Sequence, residues 1–329
     1  MTRFCIGSAQ RDMDPVPAEG PTQFNSPAPP RMKRPMRPRE LQDPLNYYLY
    51  HPLAWQFARL LAPTPITPNM VSVLGAGFVV AAGLVYTNFT GPVMAAVGMA
   101  LHMTWHVVDG ADGDLARLTG RSSPIGEMVD GLCDYLSHIA VYLMLAAMLA
   151  SGTGLFSGWL AWVLVVGAGI SHALQANHVE VQRRQYQWWV YGTPWLRNSH
   201  AKEGSATSQS WAGKLVSSYI AVASGMTPEA LRIDAAVDQA QGDKTRLAVI
   251  ADAVRAEAPP LLLLCKVLGP NPRAIVLGLS MIAGSPVWYM LYQSVVLNLL
   301  LVHSVRAHNA AARRIAAKIG ASDAARKAA

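Results

Sequence analysis

The chain has 329 residues, 52% of them hydrophobic and only 14% charged, with a formal net charge of +7. A soluble domain carries about 25% charged residues, whereas here residues 70–108, 135–179 and 274–305 contain no Lys, Arg, Asp or Glu at all. The pattern excludes an ordinary soluble protein and predicts an all-α polytopic membrane protein, since the first two runs each have room for two crossings of roughly 20 residues.

Residues 1–40 are rich in proline (Pro15, Pro17, Pro21, Pro27, Pro29 and Pro30 among them) and have no apolar run. They read as a disordered tail, neither a signal peptide nor a packed domain, and leave Met32 and Met36 open as starts. Residues 41–67 follow as an expected interfacial amphipathic helix. Leu53, Phe57, Leu60 and Leu61 fall on one face, with Tyr47, Tyr48 and Trp55 beside them. A Pro-rich break ends this element, and residues 68–306 are expected to form the membrane domain.

A first crossing is predicted from Pro68 to Tyr86. A turn at 87–92 leads to a second that runs past Val108 into a polar extension. Ser123 and Pro124 suit the N-cap and first turn of a third helix ending near Ala150. A fourth is expected from Trp159 to Asn177. Residues 178–260 read as a polar, amphipathic cytoplasmic insert, with Trp188, Trp189 and Trp195 suited to the headgroup level. The run 274–305 breaks naturally at Gly284-Ser285-Pro286, and Lys266, Pro270 and Pro272 suggest a bent entry into the fifth helix. Six crossings place every basic segment on the cytoplasmic side; five would strand Arg306, Arg313, Arg314 and Lys318 outside. Residues 307–329 form a basic tail, for which anionic lipid is a cheaper explanation than nucleic acid. The cysteines Cys5, Cys133 and Cys265 have no spacing that suggests a disulfide framework or a zinc site.

Chemistry concentrates at the end of the second crossing. Counting from Asp109, the residues Asp112, Gly113, Ala116 and Arg117 lie at i+3, i+4, i+7 and i+8, a single helix stripe. The third helix offers Gly126, Asp130 and Asp134, four apart and on one face. A short loop makes the two helices antiparallel neighbours, so the stripes can face each other. Carboxylates converging near a membrane repel one another and are costly to desolvate, so a cation is implied. Hard oxygen ligands without Cys or His favour Mg²⁺ or Mn²⁺, plausibly two ions, with a phosphate substrate completing the shell. Asp114 lies off the stripe and reads as solvated. His102, His106 and His138 read as packing residues, and Arg121 as a candidate contact for an acceptor phosphate. A divalent-ion transporter competes with an enzyme but does not explain Arg117, Gly113 and Ala116 among the aspartates, and the intact aspartate set argues against an inactive scaffold.

The pattern Asp109-x2-Asp112-Gly113-x2-Ala116-Arg117-x8-Gly126-x3-Asp130-x3-Asp134 resembles the signature of the CDP-alcohol phosphotransferases, also called CDP-alcohol phosphatidyltransferases. At ~5–8% usage per residue type, chance gives it about once in ten million such chains. The likeness is firmest from Pro44 to Asn177, including Thr67-Pro68-Asn69. It implies a six-helix fold, a homodimer, and a site open to the cytoplasmic half of the membrane. It further implies that Asp109, Asp112 and Asp130 ligate two metal ions, with Asp134 at the second ion or serving as the base. Asp112, Gly113, Ala116, Arg117, Gly126 and Asn69 would border the CDP moiety, with Arg117 on the pyrophosphate. The implied reaction moves a substituted phosphate from a CDP-linked donor to an alcohol, releasing CMP. CDP-diacylglycerol with a small polar alcohol is the favoured pair, and CDP-choline or CDP-ethanolamine with a lipid alcohol the second.

Overall fold

The structure is a computed structural model that describes residues 38–193, 221–222 and 225–328. The expected tail over residues 1–37, Trp195 and much of the centre of the insert lie outside the described residues. Those residues are helical, with no strand among them. The helices are α1 (His51–Leu61), α2 (Pro68–Asn88), α3 (Pro92–Thr119), α4 (Pro124–Ala150) and α5 (Trp159–Tyr191). They continue as α6 (Ala230–Gln239), α7 (Lys244–Val267), α8 (Pro270–Ile282), the short α9 (Val287–Leu291) and α10 (Leu297–Ala328).

Local chemistry sets the ends of these helices. Thr67 caps α2 by accepting from the Met70 N–H, and Ser123 caps α4 by accepting from the Gly126 N–H at 3.0 Å. Pro68 and Pro124 occupy first-turn positions, where no backbone N–H is needed. Gly120 ends α3 at φ +67°, and the Arg121 N–H returns to the Ala116 carbonyl at 2.9 Å. That reversal is so tight that α4 starts only four residues later, which brings the polar ends of α3 and α4 together. α2 packs against both.

Among the described residues, four helical segments are long and apolar enough to cross a membrane: Pro68–Asn88, Ile125–Ala150, Trp159–Tyr191 and Val287–Arg326. Their outward faces are apolar, with Leu143 50%, Val163 58% and Ile170 60% exposed, as lipid-facing positions would be. α3, carrying His102, His106 and its aspartates, is not among the four, and neither is the 13-residue α8. The inner core joins Val79 and Tyr86 of α2, Trp105 of α3, Val141 and Leu145 of α4, Val165 of α5 and Leu277 of α8.

Two sequence expectations change. α5 runs to Tyr191, not Asn177, because its polar continuation finds partners. His178 Nε2 meets Ser304 Oγ at 2.9 Å, and Gln182 Nε2 donates to Thr227 Oγ1 at 3.0 Å. Trp188 and Trp189 join a helical core with Ile233, Val237, Ile250, Val254, Ile315 and Ile319, and Trp189 Nε1 donates to Asp234 at 2.7 Å. They are therefore held by protein, not by headgroups. In α1, Ala54 and Ala58 are the residues buried, in one cluster with Val108, Ala111 and Leu115 of α3. Phe57 and Leu61 flank that contact, while Leu53 and Leu60 are 42% and 70% exposed, free of the protein as residues turned to a membrane surface would be. The bend near the fifth crossing is present, since the chain breaks at Leu268–Gly269 between α7 and α8. So is the break at Gly284, where φ is +87°. Outside the apolar core, Arg314 and Lys318 of α10 clamp Glu257 of α7. Their hydrogen bonds, Arg314's foremost, hold its carboxyl below the usual range.

Candidate active site

α3 and α4 supply the site in two tiers. In the deeper tier, Asp109, Asp130 and Asp134 place carboxylate oxygens within 4.8 Å of one another. Trp105, one turn before Asp109 on the same face of α3, donates through Nε1 to Asp134 Oδ1 at 3.1 Å. Ser137 Oγ and His138 Nδ1 both meet the Asp134 carbonyl, at 3.0 and 2.8 Å. These contacts fix the turn of α4 that carries the carboxylate.

The outer tier is a cleft of about 130 Å³. Asn69 of α2, Asp112, Gly113, Ala116 and Arg117 of α3, Arg121 of the loop, and Gly126 and Asp130 of α4 all line it. Every residue that the resemblance assigned to CDP thus borders one opening, and Asp130 belongs to both tiers. Asp112 is 7% exposed, accepts from Ser72 Oγ at 2.5 Å, and is also met by the Gly113 N–H. It interacts with Asp130 across the helix pair, but falls outside the three-carboxylate group. A Cβ on Gly126 would lie 3.3 Å from Ser123 Oγ and 3.6 Å from Asn69 Oδ1, so glycine there lets α2 and the start of α4 close around the cleft.

Sequence reasoning missed several residues. Ser72 sits three residues after Asn69 on the same face of α2, a spacing that could have flagged it. Asp114 is not solvated: it is 8% exposed and ion-paired with Arg117. Its i,i+3 relation to an arginine was the available signal. The histidines do more than fill space. Buried His102 and half-buried His138 and His172 form a series of neighbouring rings that ends at the Tyr142 hydroxyl, 3.1 Å from His172 Nδ1.

Three converging carboxylates, with no His or Cys among them, suit a hard divalent cation. The cleft beside them has an arginine fork at its mouth, suited to phosphate oxygens. Together they can hold a metal-bound diphosphate at the polar edge of an apolar bundle.

Comparison with known proteins agrees. The chain is 27% identical to human cholinephosphotransferase 1 over 137 residues, 39% of this chain and 31% of the relative. It is 28% identical to Pongo abelii ethanolaminephosphotransferase 1 over 147 residues, 40% and 37% of the two chains. An uncharacterised class-I CDP-alcohol phosphatidyltransferase family protein of Schizosaccharomyces pombe is 33% identical over 97 residues, 26% and 24% of the two. The chain thus spans about a third of the length of the first two relatives. The family model described as CDP-alcohol phosphatidyltransferase matches residues 65–227, which include all eight signature positions and Asn69. Residues 65–227 thus carry a CDP-alcohol phosphatidyltransferase domain.

Proposed function

We propose that this protein is a membrane-embedded phosphotransferase of phospholipid synthesis that moves a substituted phosphate from a CDP-linked donor to an alcohol and releases CMP. The observation that carries the reading is the Asp109–Asp130–Asp134 group opening onto a cleft lined by Asn69, Gly113, Ala116, Arg117 and Gly126. Asp109, Asp130 and Asp134, with Asp112 beside them, would hold Mg²⁺ or Mn²⁺, and the set has carboxylates enough for two ions. Bound there, the metal supplies charge neutralisation of the diphosphate and makes CMP a better leaving group.

The chain's own groups do the rest. Arg117 holds diphosphate oxygens, and the small residues Gly113 and Ala116 leave room for the nucleotide. Trp105 fixes Asp134 Oδ1, and Asp134 Oδ2 takes the proton of the acceptor hydroxyl. The hydroxyl oxygen bonds to the phosphorus remote from cytidine as the bond to the CMP oxygen breaks, and a phosphodiester is left. Arg121, at the rim of the cleft, is placed to meet a phosphate on the acceptor.

Six crossings suit this chain, with α3 and α8 joining the four apolar segments, the site facing the cytoplasm, and α1 lying in the interface. Basic residues on one side support that count. A homodimer follows from family resemblance. An ion transporter is the weaker reading, because Arg117, Gly113 and Ala116 along the cleft serve no purpose in it.

CDP-diacylglycerol with a small polar alcohol is the donor pair favoured by the sequence. The names of the relatives support a second pair, CDP-choline or CDP-ethanolamine with a lipid alcohol. Purified protein with Mg²⁺, offered each donor with a panel of alcohols, should release CMP from one pair far faster than from the other. Release from neither would remove the reading.

A further inference from the structure

We infer that Asp114 is a positioning residue that sets the Arg117 guanidinium for the donor's diphosphate, an inference that rests on the CDP-donor reading above. Asp114 has no place in the signature and is not one of the three grouped carboxylates. Its side chain is only 11% exposed, while that of Arg117 is 43% exposed. The pair therefore consists of a sunken anchor and an exposed arm at the mouth of the cleft. Arg117 Nη2 donates to Asp114 Oδ1.

The space beside the fork also matters. A Cβ built on Gly113 would lie 3.5 Å from Arg117 Nη1 and 3.6 Å from Nη2, so the guanidinium lies over the part of α3 that glycine leaves bare. Helical side chains lean toward the N-terminus of their helix, which brings Arg117 back over Gly113 and beside Asp114. With Nη2 held by Asp114, the remaining N–H groups of the rigid fork are the ones left for phosphate oxygens in the cleft that Arg117 lines.

An exposed arginine that must be ordered on binding loses rotamer freedom at that moment. Asp114 orders it beforehand, and a buried carboxylate holds better than an exposed one because water competes less for it. A serine or lysine at position 114 would give the same helix and leave the fork free to swing.

The test uses the full chain, its donor kinetics with Mg²⁺, and calorimetric binding of CDP, which needs no turnover. Asp114→Ala should raise the donor KM and the CDP Kd about tenfold while kcat moves less than threefold. Asp114→Glu should recover most of the loss, because a glutamate three residues before an arginine still reaches it. In an Arg117→Ala background, Asp114→Ala should change neither constant further, since Asp114 acts only through Arg117. Unchanged KM and Kd in Asp114→Ala, additive effects in the double variant, or a loss in kcat alone would overturn the assignment. So would tighter CDP binding by Asp114→Ala, which would make Asp114 a competitor of the phosphate. Wild-type protein that binds no CDP would instead defeat the donor reading itself.

Discussion

Replacing Asp134 with asparagine should separate what the carboxylate costs the fold from what it contributes to turnover. Asp109, Asp130 and Asp134 bring oxygens within 4.8 Å of one another. At an effective dielectric constant near 20, two unit charges at that distance repel by about 3.5 kcal/mol. Asp134 takes part in two of the three pairs, so Asp134→Asn removes up to about 7 kcal/mol of repulsion in metal-free protein. Water in the adjoining cleft screens much of that, leaving an expected gain of about 1–2 kcal/mol. Asparagine has the same shape, and its Oδ1 still accepts from Trp105, so the fold stays intact. In detergent with chelator, Asp134→Asn should therefore melt at or above the wild-type temperature. Mg²⁺ at a hundred times its Kd should stabilise wild type by about 2.7 kcal/mol and the variant by less. Turnover should fall at least a hundredfold, roughly the scale of losing a general base. A variant that melts well below wild type in chelator, or that turns over nearly normally, would refute the reasoning.

Ser72→Ala removes the 2.5 Å hydrogen bond to buried Asp112 and should cost about 1.5–3 kcal/mol, read as a lower melting temperature, with a raised donor KM; Ser72→Thr should retain most of both. Gly278→Val tests the α8–α3 contact, where a Cβ would fall 2.7 Å from Met99 Cβ, and overpacking there should lower stability by about 1–3 kcal/mol in the same assay. Cysteines at Ser122 and Thr153, exposed at opposite ends of α4, should react with an impermeant thiol reagent from opposite sides of the membrane in protein lacking its native cysteines. Labelling of both from one side would mean that α4 does not cross.

Much of the site could be read in advance because it is built from local rules. Spacing on α3 and α4 put the carboxylates on facing stripes, the Ser123-Pro124 pair marked the start of α4, and the short loop between the helices made them antiparallel neighbours. What stayed hidden depends on contacts across the chain. The polar continuation of α5 looked like the end of a helix, yet His178 and Gln182 are satisfied by Ser304 and Thr227, more than forty residues away. Trp188 and Trp189 have the composition of interfacial residues but are covered by α6, α7 and α10. On α1, the large apolar residues pointed to the membrane surface, and nothing in their spacing marked the small Ala54 and Ala58 that pack against Val108, Ala111 and Leu115 of α3. Asp112 shows the same limit inside the site. Its spacing matches that of the other aspartates, but Ser72 and the Gly113 N–H draw its carboxylate to the cleft wall, outside the three-oxygen group.

The central claim is that an acceptor hydroxyl takes the phosphoryl group remote from cytidine. The most direct measurement follows the oxygen. Purified protein is given the donor that releases CMP, Mg²⁺, and an acceptor whose reacting hydroxyl carries ¹⁸O, and both products are weighed by mass spectrometry. The account predicts ¹⁸O in the phosphodiester, none in CMP, and no product of either kind when the ion is chelated. Label in CMP, or CMP formed by hydrolysis with the acceptor unused, would contradict it.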